Sequence, residues 1–270
     1  MKTDNLTSET LRRYIPNVFA EVEGETPLAD KLAPFIDSAR VWLETEYLGP
    51  DDFLSDAHND FALRLLVAKA VADAVPSLDL VVTPTGMAVV NTDTLAPASK
   101  DRVERLISSL LERVRKGIPV LLDLCRTYES WRLSERGRYF GASFISSPRD
   151  CEGLDISFEE ARRRAILVEG AMADRYLGRT MLDTLRDDYN SGAVTRGNSL
   201  VNLLIATLTN IIPAPDYERV FDQNALWHAA CPVLNELPRH AKYIQLWEAE
   251  MGDRFKSFGF VNDIKGGYYF

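Results

Sequence analysis

Asp51, Asp52, Asp56, His58 and Asp60 crowd into one short stretch, DDFLSDAHND, the densest polar cluster in the chain. Hard cations gather several carboxylate oxygens, so a calcium loop is the chemistry this cluster could support. The calcium-loop pattern is missing, however: no glycine stands at the turn position and no glutamate closes the loop. Acids between two helices also follow from capping and helix-dipole preferences without any metal. That second reading is adopted, and no metal ligands are assigned.

His228 and Cys231 stand three residues apart on an expected helix, close to Trp227, a spacing that lets them share a face. A nucleophile and base would also need an orienting group and oxyanion donors, and the sequence nominates none. They are read as packing residues, since free cysteine behaves mostly as a small hydrophobe. Arg162, Arg163 and Arg164 form a basic run, but Glu159, Glu160 and Glu169 surround it. A solvated, charge-neutralised helix face is expected there, not a phosphate site. Dinucleotide, P-loop, zinc-protease and serine-hydrolase signatures are all absent, so no catalytic residue and no cofactor is expected.

The whole-chain numbers agree with that reading. Across 270 residues, 46% are hydrophobic and 26% charged, an ordinary globular balance. A formal net charge of -9 disfavours bulk binding to nucleic acid or an anionic membrane. Cys125, Cys151 and Cys231 are odd in number and far apart, so a reducing compartment is expected, without disulfides or a zinc site. The opening MKTDNLTSETLRRY carries acids and lacks an apolar core, unlike a signal peptide. No apolar run is long enough to span a membrane.

The expected elements are mainly helical. Thr26 and Pro27 open a helix whose stripe runs Leu28, Leu32, Phe35, Ile36, Ala39 and Leu43. Gly49 and Pro50 close it as a left-handed cap and stop. An almost wholly apolar helix from Phe61 to Val75 should be central and stop at Pro76. The period then changes: β-branched runs over Leu78–Thr83 and Met87–Asn91 flank Pro84-Thr85-Gly86 and predict a β-hairpin. Ser99 should cap a long helix that Gly117 and Pro119 kink or break. Tyr139 to Asp155 reads as a connector, and Ser157 to Glu160 as a capping box.

The second half echoes the first. Glu44-Thr-Glu-Tyr-Leu-Gly49 resembles Ala173-Asp-Arg-Tyr-Leu-Gly178, and the apolar helix before Pro76 matches Leu200–Ile212 before Pro213. Echoes in fixed order predict a tandem duplication, with units over 1–140 and 141–270. Toward the C-terminus, Phe255, Phe258 and Phe260 lead to Gly266-Gly267-Tyr268-Tyr269-Phe270. Chain ends are usually polar, so these aromatics need a burial site, either by folding back or by docking on a neighbouring subunit.

At Asp79-Leu-Val-Val-Thr-Pro-Thr-Gly86, Val89-Val-Asn91 and Leu95-Ala-Pro-Ala-Ser99, the chain resembles an uncharacterised family of virion structural proteins encoded in prophages of gut anaerobes. Ile36-Asp-Ser-Ala-Arg-Val-Trp42 through Tyr47-Leu-Gly49 is similar, more loosely, to the small helical head–tail connectors of tailed phages. Those connectors have the unit once; here it would occur twice. The resemblance implies an all-α fold with one small hairpin and a non-enzymatic role at the head–tail junction or neck. It implies partners among portal, capsid or tail proteins and a ring of like subunits. It also implies a location in the cytoplasm during assembly and in the virion thereafter. Val81, Val89, Tyr268, Tyr269 and Phe270 are the expected interaction residues, with no membrane and no specific nucleic acid as partner. The alternatives are an enzyme with an unrecognised site and a helical adaptor of the host.

Overall fold

A computed structural model describes residues 6–15, 26–77, 80–83, 86–89 and 99–256; it is mainly helical. The chain divides into two compact units, Met1–Trp131 and Arg132–Phe270, ahead of the divide at 140 read from the sequence.

The first unit holds α1 (Ser8–Tyr14), α2 (Leu28–Leu43), α3 (Asp56–Ala74) and α4 (Lys100–Cys125), with α5 (Glu129–Leu133) at the junction. Between α3 and α4, β1 (Leu80–Thr83) and β2 (Gly86–Val89) pair antiparallel in the register Leu80↔Val89 through Thr83↔Gly86. Pro84, Thr85, Asn91 and the stretch Leu95 to Ala98 lie outside the described residues. Helix α3 is the hub of this unit, packing on both α2 and α4. Leu63, Leu65, Leu66, Val67, Ala68 and Val71 are buried on several of its sides, as its nearly all-round apolar sequence requires.

Two sequence expectations fail at helix ends and inside α4. Pro27 is the N-cap of α2 and not its first residue, and no side chain caps there. Helix α4 runs unbroken past Gly117 and Pro119 to Cys125. The reason is packing: a Cβ at residue 117 would come within 2.3 Å of Leu65 Cδ2, so the glycine lets α3 and α4 approach closely. Ile118, Pro119, Leu121 and Leu122 are buried as well, and that burial outweighs the backbone bond the proline removes.

The second unit contains α6 (Glu135–Gly141), α7 (Phe158–Met172), α8 (Arg179–Ser191), α9 (Ser199–Ile211), α10 (Gln223–Glu236) and α11 (Ala241–Lys256). The middle of the segment expected to be a connector, Tyr139 to Asp155, is interior. Ser143, Phe144, Ile145, Ser146, Ser147 and Asp150 are all buried. Buried backbone needs partners, and two carboxylates supply them. Glu169 Oε1 accepts the Ser143 hydroxyl at 2.6 Å and the Phe144 amide at 2.9 Å. Asp150 accepts the Ser146 and Ser147 amides, each at 2.9 Å, and pairs with Arg196.

The basic run on α7 is likewise not one solvated face. Arg162 is buried, its guanidinium 3.7 Å from the Tyr139 ring centre and donating to the Tyr139 carbonyl. Glu169, expected among the neutralising surface acids, is 2% exposed. Only Arg163 and Arg164 pair with Glu160, at 2.7 and 2.6 Å. That pairing takes the carboxylate a full box would use, so Ser157 caps α7 through the Glu160 amide alone, at 3.2 Å.

Candidate functional site

Among the described residues each unit contains one π-turn of five residues, Glu44–Leu48 after α2 and Ala173–Leu177 after α7. Wide turns of this type occur often at functional sites. Both close by an i→i−5 bond from a glycine amide, Gly49 to Glu44 at 2.7 Å and Gly178 to Ala173 at 2.9 Å. The glycines sit at φ 82° and 77°, a region other residues reach only with strain. Their ψ values, 175° and 135°, are extended, so Gly49 is not the left-handed helix cap the sequence suggested.

A tryptophan locks each turn from outside. The Trp131 indole N–H donates to the Tyr47 carbonyl at 3.1 Å, and the Trp247 indole N–H to the Tyr176 carbonyl at 2.7 Å. The two indoles are 2% and 3% exposed; the Trp247 bond is buried and the Trp131 bond part-buried, so an unbonded carbonyl would be costly at both and more so in the second unit. In the second unit Glu250 adds a further tie. Its oxygens accept the Arg179 and Thr180 amides at 2.9 and 2.8 Å, capping α8 where Gly178 has no side chain to do so. Burial opposes ionisation of Glu250, but those two amides hold its carboxyl below the usual range.

The second π-turn borders a cavity of about 600 Å³. Tyr176, Trp227 and Phe255 form aromatic walls and Arg175 and Arg254 stand at the rim. Tyr176 meets Trp227 edge-on at 5.1 Å, and Phe255 lies 5.2 Å from Trp247 and 6.2 Å from Trp227. The Tyr176 hydroxyl donates to Gln223 O at 3.0 Å, joining the turn to the first turn of α10. Asp174 is held by Arg179 through bonds of 2.7 and 3.0 Å. Arg175 donates to the Phe221 carbonyl at 2.9 Å and Arg254 to the Asp174 carbonyl at 3.0 Å. Aromatic walls with a cationic rim suit an aromatic group next to an acid.

The other polar sets have structural geometry. Ser199 Oγ donates to Glu236 Oε1 at 2.7 Å and lies 2.8 Å from His240 Nε2. Its single proton is therefore committed to the acid, and the imidazole meets the hydroxyl as a donor, the wrong sense for a general base. Within the acidic cluster, Asp60 accepts the Tyr14 hydroxyl at 2.7 Å and Arg64 Nε at 2.9 Å. His58 Nδ1 lies 2.6 Å from the Tyr128 hydroxyl, which also accepts the Ser55 amide at 3.0 Å. Among the described residues no group of three or more His, Cys, Asp or Glu could hold a metal ion. Burial pushes the Cys125 and Cys151 thiols up to about 12 and raises Cys231 as well, the opposite of nucleophile activation.

His228 and Cys231 both lie on α10; His228, with Tyr217 and Pro232, lines a second cavity of about 540 Å³. Val81 pairs with Ala88 and Val89 with Leu80 across the two strands. Tyr268, Tyr269 and Phe270 lie outside the described residues. Sequence reasoning singled out Tyr47-Leu-Gly49 and Tyr176-Leu-Gly178 but missed Trp131 and Trp247. A signal was available: Pro119-Val-Leu121 and Pro232-Val-Leu234, both inside helices, precede the two tryptophans in the same order.

Residues 15–141, under half of the chain, match a family of unknown function (DUF6712). No curated protein and no solved structure matches the chain. Among the described residues no helix is long and apolar enough to cross a membrane.

Proposed function

We propose that this protein is a non-enzymatic structural component of a phage or prophage virion, acting as a head–tail connector or neck assembly protein. We further propose that it is built from a duplicated helical unit. The observation that carries the assembly reading is the two-stranded sheet. Among the described residues each strand has one neighbour only, so each offers an outer row of backbone groups to a partner strand. The duplication is supported by the two π-turns, each closed by a glycine and each locked by a tryptophan on a tyrosine carbonyl. Partners on this reading are portal, capsid or tail proteins and other copies of the chain, in the cytoplasm during assembly and then in the particle.

The test is to purify particles of the encoding phage and quantify the chain by mass spectrometry, for the natural sequence and for Val81→Lys with Val89→Lys. Several copies per particle are expected for the natural chain. The double variant should be lost from particles while its melting temperature stays close to that of the parent. Particles that are complete without the chain overturn the assignment. Equal loss of melting and incorporation makes the hairpin ordinary core.

A further inference from the structure

We propose that the interior between α7, α8 and the buried segment 143–147 is a site for bound water, held by Glu169 Oε2, Asn190 Oδ1 and the Nε atoms of Arg162 and Arg186. Among the described residues five buried side-chain atoms lack a hydrogen-bond partner, and these are four of the five. The other, Arg40 Nε, belongs to the first unit. Arg162 and Glu169 stand two turns apart on one face of α7, and Arg186 and Asn190 one turn apart on α8. Both guanidinium groups, Arg186 foremost, act on the Glu169 charge. Buried polar atoms without partners are costly, and interior water is the usual means of satisfying them.

The inventory of atoms decides the ligand. Glu169 Oε1 already takes the Ser143 hydroxyl and the Phe144 amide. Its Oε2 lies 3.5 Å from Arg186 Nε, near enough for charge attraction but outside a good hydrogen bond. Closing that gap would serve two of the four atoms and leave Arg162 Nε and Asn190 Oδ1 unmet. Asn190 is oriented by its Nδ2, which donates to the Gly141 carbonyl at 2.9 Å, so its oxygen remains as acceptor. Two donors and two acceptors are the complement of water, which offers two of each. Chloride accepts only, and would leave both oxygens unserved. Water also suits either protonation state of Glu169, donating to the anion and accepting from the acid. This inference does not rest on the virion assignment, since it concerns the interior of one unit.

The direct test is a high-resolution crystal structure of the full chain, with a second crystal soaked in bromide. Water is expected within about 2.7–3.2 Å of Glu169 Oε2 and of at least one of the two arginine Nε atoms, and bromide should not displace it. Glu169 bonded directly to an arginine Nε, with no water at any of the four atoms, overturns the proposal. So does bromide in the water's place, which would make this an anion site. In solution, oxygen-17 relaxation dispersion counts the waters a protein holds far longer than its surface does. Arg186→Met, which puts an apolar chain where the guanidinium stood, should lose at least one of them, and an unchanged count overturns the proposal. If that variant does not fold, the crystal of the natural chain decides alone.

Discussion

The two π-turns share a backbone and differ in what surrounds it. In the first unit the locking tryptophan rides on α5, five residues long, and Tyr47 meets Trp42 of its own helix edge-on at 5.4 Å. In the second unit it rides on α11, sixteen residues long, whose last turn carries Arg254 and Phe255 into the cavity. The inner device, a wide turn closed by glycine and bonded to an indole, is the same in both. The outer face is where they diverge, because the long helix brings a third wall and Arg254, and the second turn itself carries Arg175 where the first carries Glu46. A scaffold can therefore be kept while a binding surface is added at its edge. The family match, residues 15–141, takes in most of the first unit and the first ten residues of the second, and the cavity lies in the second beyond it.

The largest effect expected from breaking the comparison comes from the indoles. Trp131→Ala and Trp247→Ala should each cost about 3–5 kcal/mol, since each removes a buried ring and leaves a tyrosine carbonyl unpaired. Urea unfolding followed by circular dichroism reads both. A cost at Trp131 under half of that at Trp247 would show that the two locks are not equivalent.

A second effect belongs to the second unit alone. Burial pushes the Glu169 carboxyl up from the ordinary 4.5 to about 7, against the pull of Arg186. An acid whose folded value is raised contributes most favourably below about 4.5, and that contribution is lost as pH rises through 7. The stability of the natural chain relative to Glu169→Gln should therefore fall by on the order of 3 kcal/mol between pH 4.5 and pH 8. Taking the difference cancels carboxyls that shift the other way, such as Asp60, held low chiefly by the Tyr14 hydroxyl. A flat difference across that range would mean that Glu169 reaches water in solution.

Smaller effects sharpen the comparison. Gly49→Ala should cost about 1–2 kcal/mol or more from its strained φ. Gly178→Ala should exceed that strain, because its Cβ would also meet Glu250 Oε2 at 3.0 Å and Met251 Cγ at 3.2 Å. A cost at Gly178 of about 1–2 kcal/mol only would show that Glu250 and Met251 yield freely. Smallest of all, Trp131→Phe and Trp247→Phe keep a ring and lose the N–H, and about 1 kcal/mol is expected for each in the same urea assay.

Much of the helical order could be read from the sequence, because α2, α3 and α7 carry their own periodicity and stops. The failures share one cause. Gly117 and Pro119 look like breakers, and only the closeness of Leu65, distant in sequence, explains why α4 continues. Ser143 to Ser147 look like a connector because small polar residues usually face water, and only Glu169 and Asp150 reveal that their amides are satisfied inside. Arg162 looks like its neighbours Arg163 and Arg164 until Tyr139 stacks on it. Of the candidate site, Tyr176 was legible as half of an echo. The cavity was not, since Arg175, Trp227 and Phe255 come from three helical elements whose meeting no local pattern encodes.

Tyr47 and Tyr176 serve the locks through their main-chain carbonyls, an atom that every residue type possesses. Lineages are therefore free to exchange those tyrosines with the lock bond retained. Gly49 and Gly178 have no such freedom, because φ near 80° penalises any side chain whatever space surrounds it. On the proposed common descent of the two units, the letters of the echo wash out at unequal rates. The tyrosine and leucine fade first and the glycine last, so two glycines following amphipathic helices would be the final trace by which the ancestry of a strongly diverged relative could still be recognised.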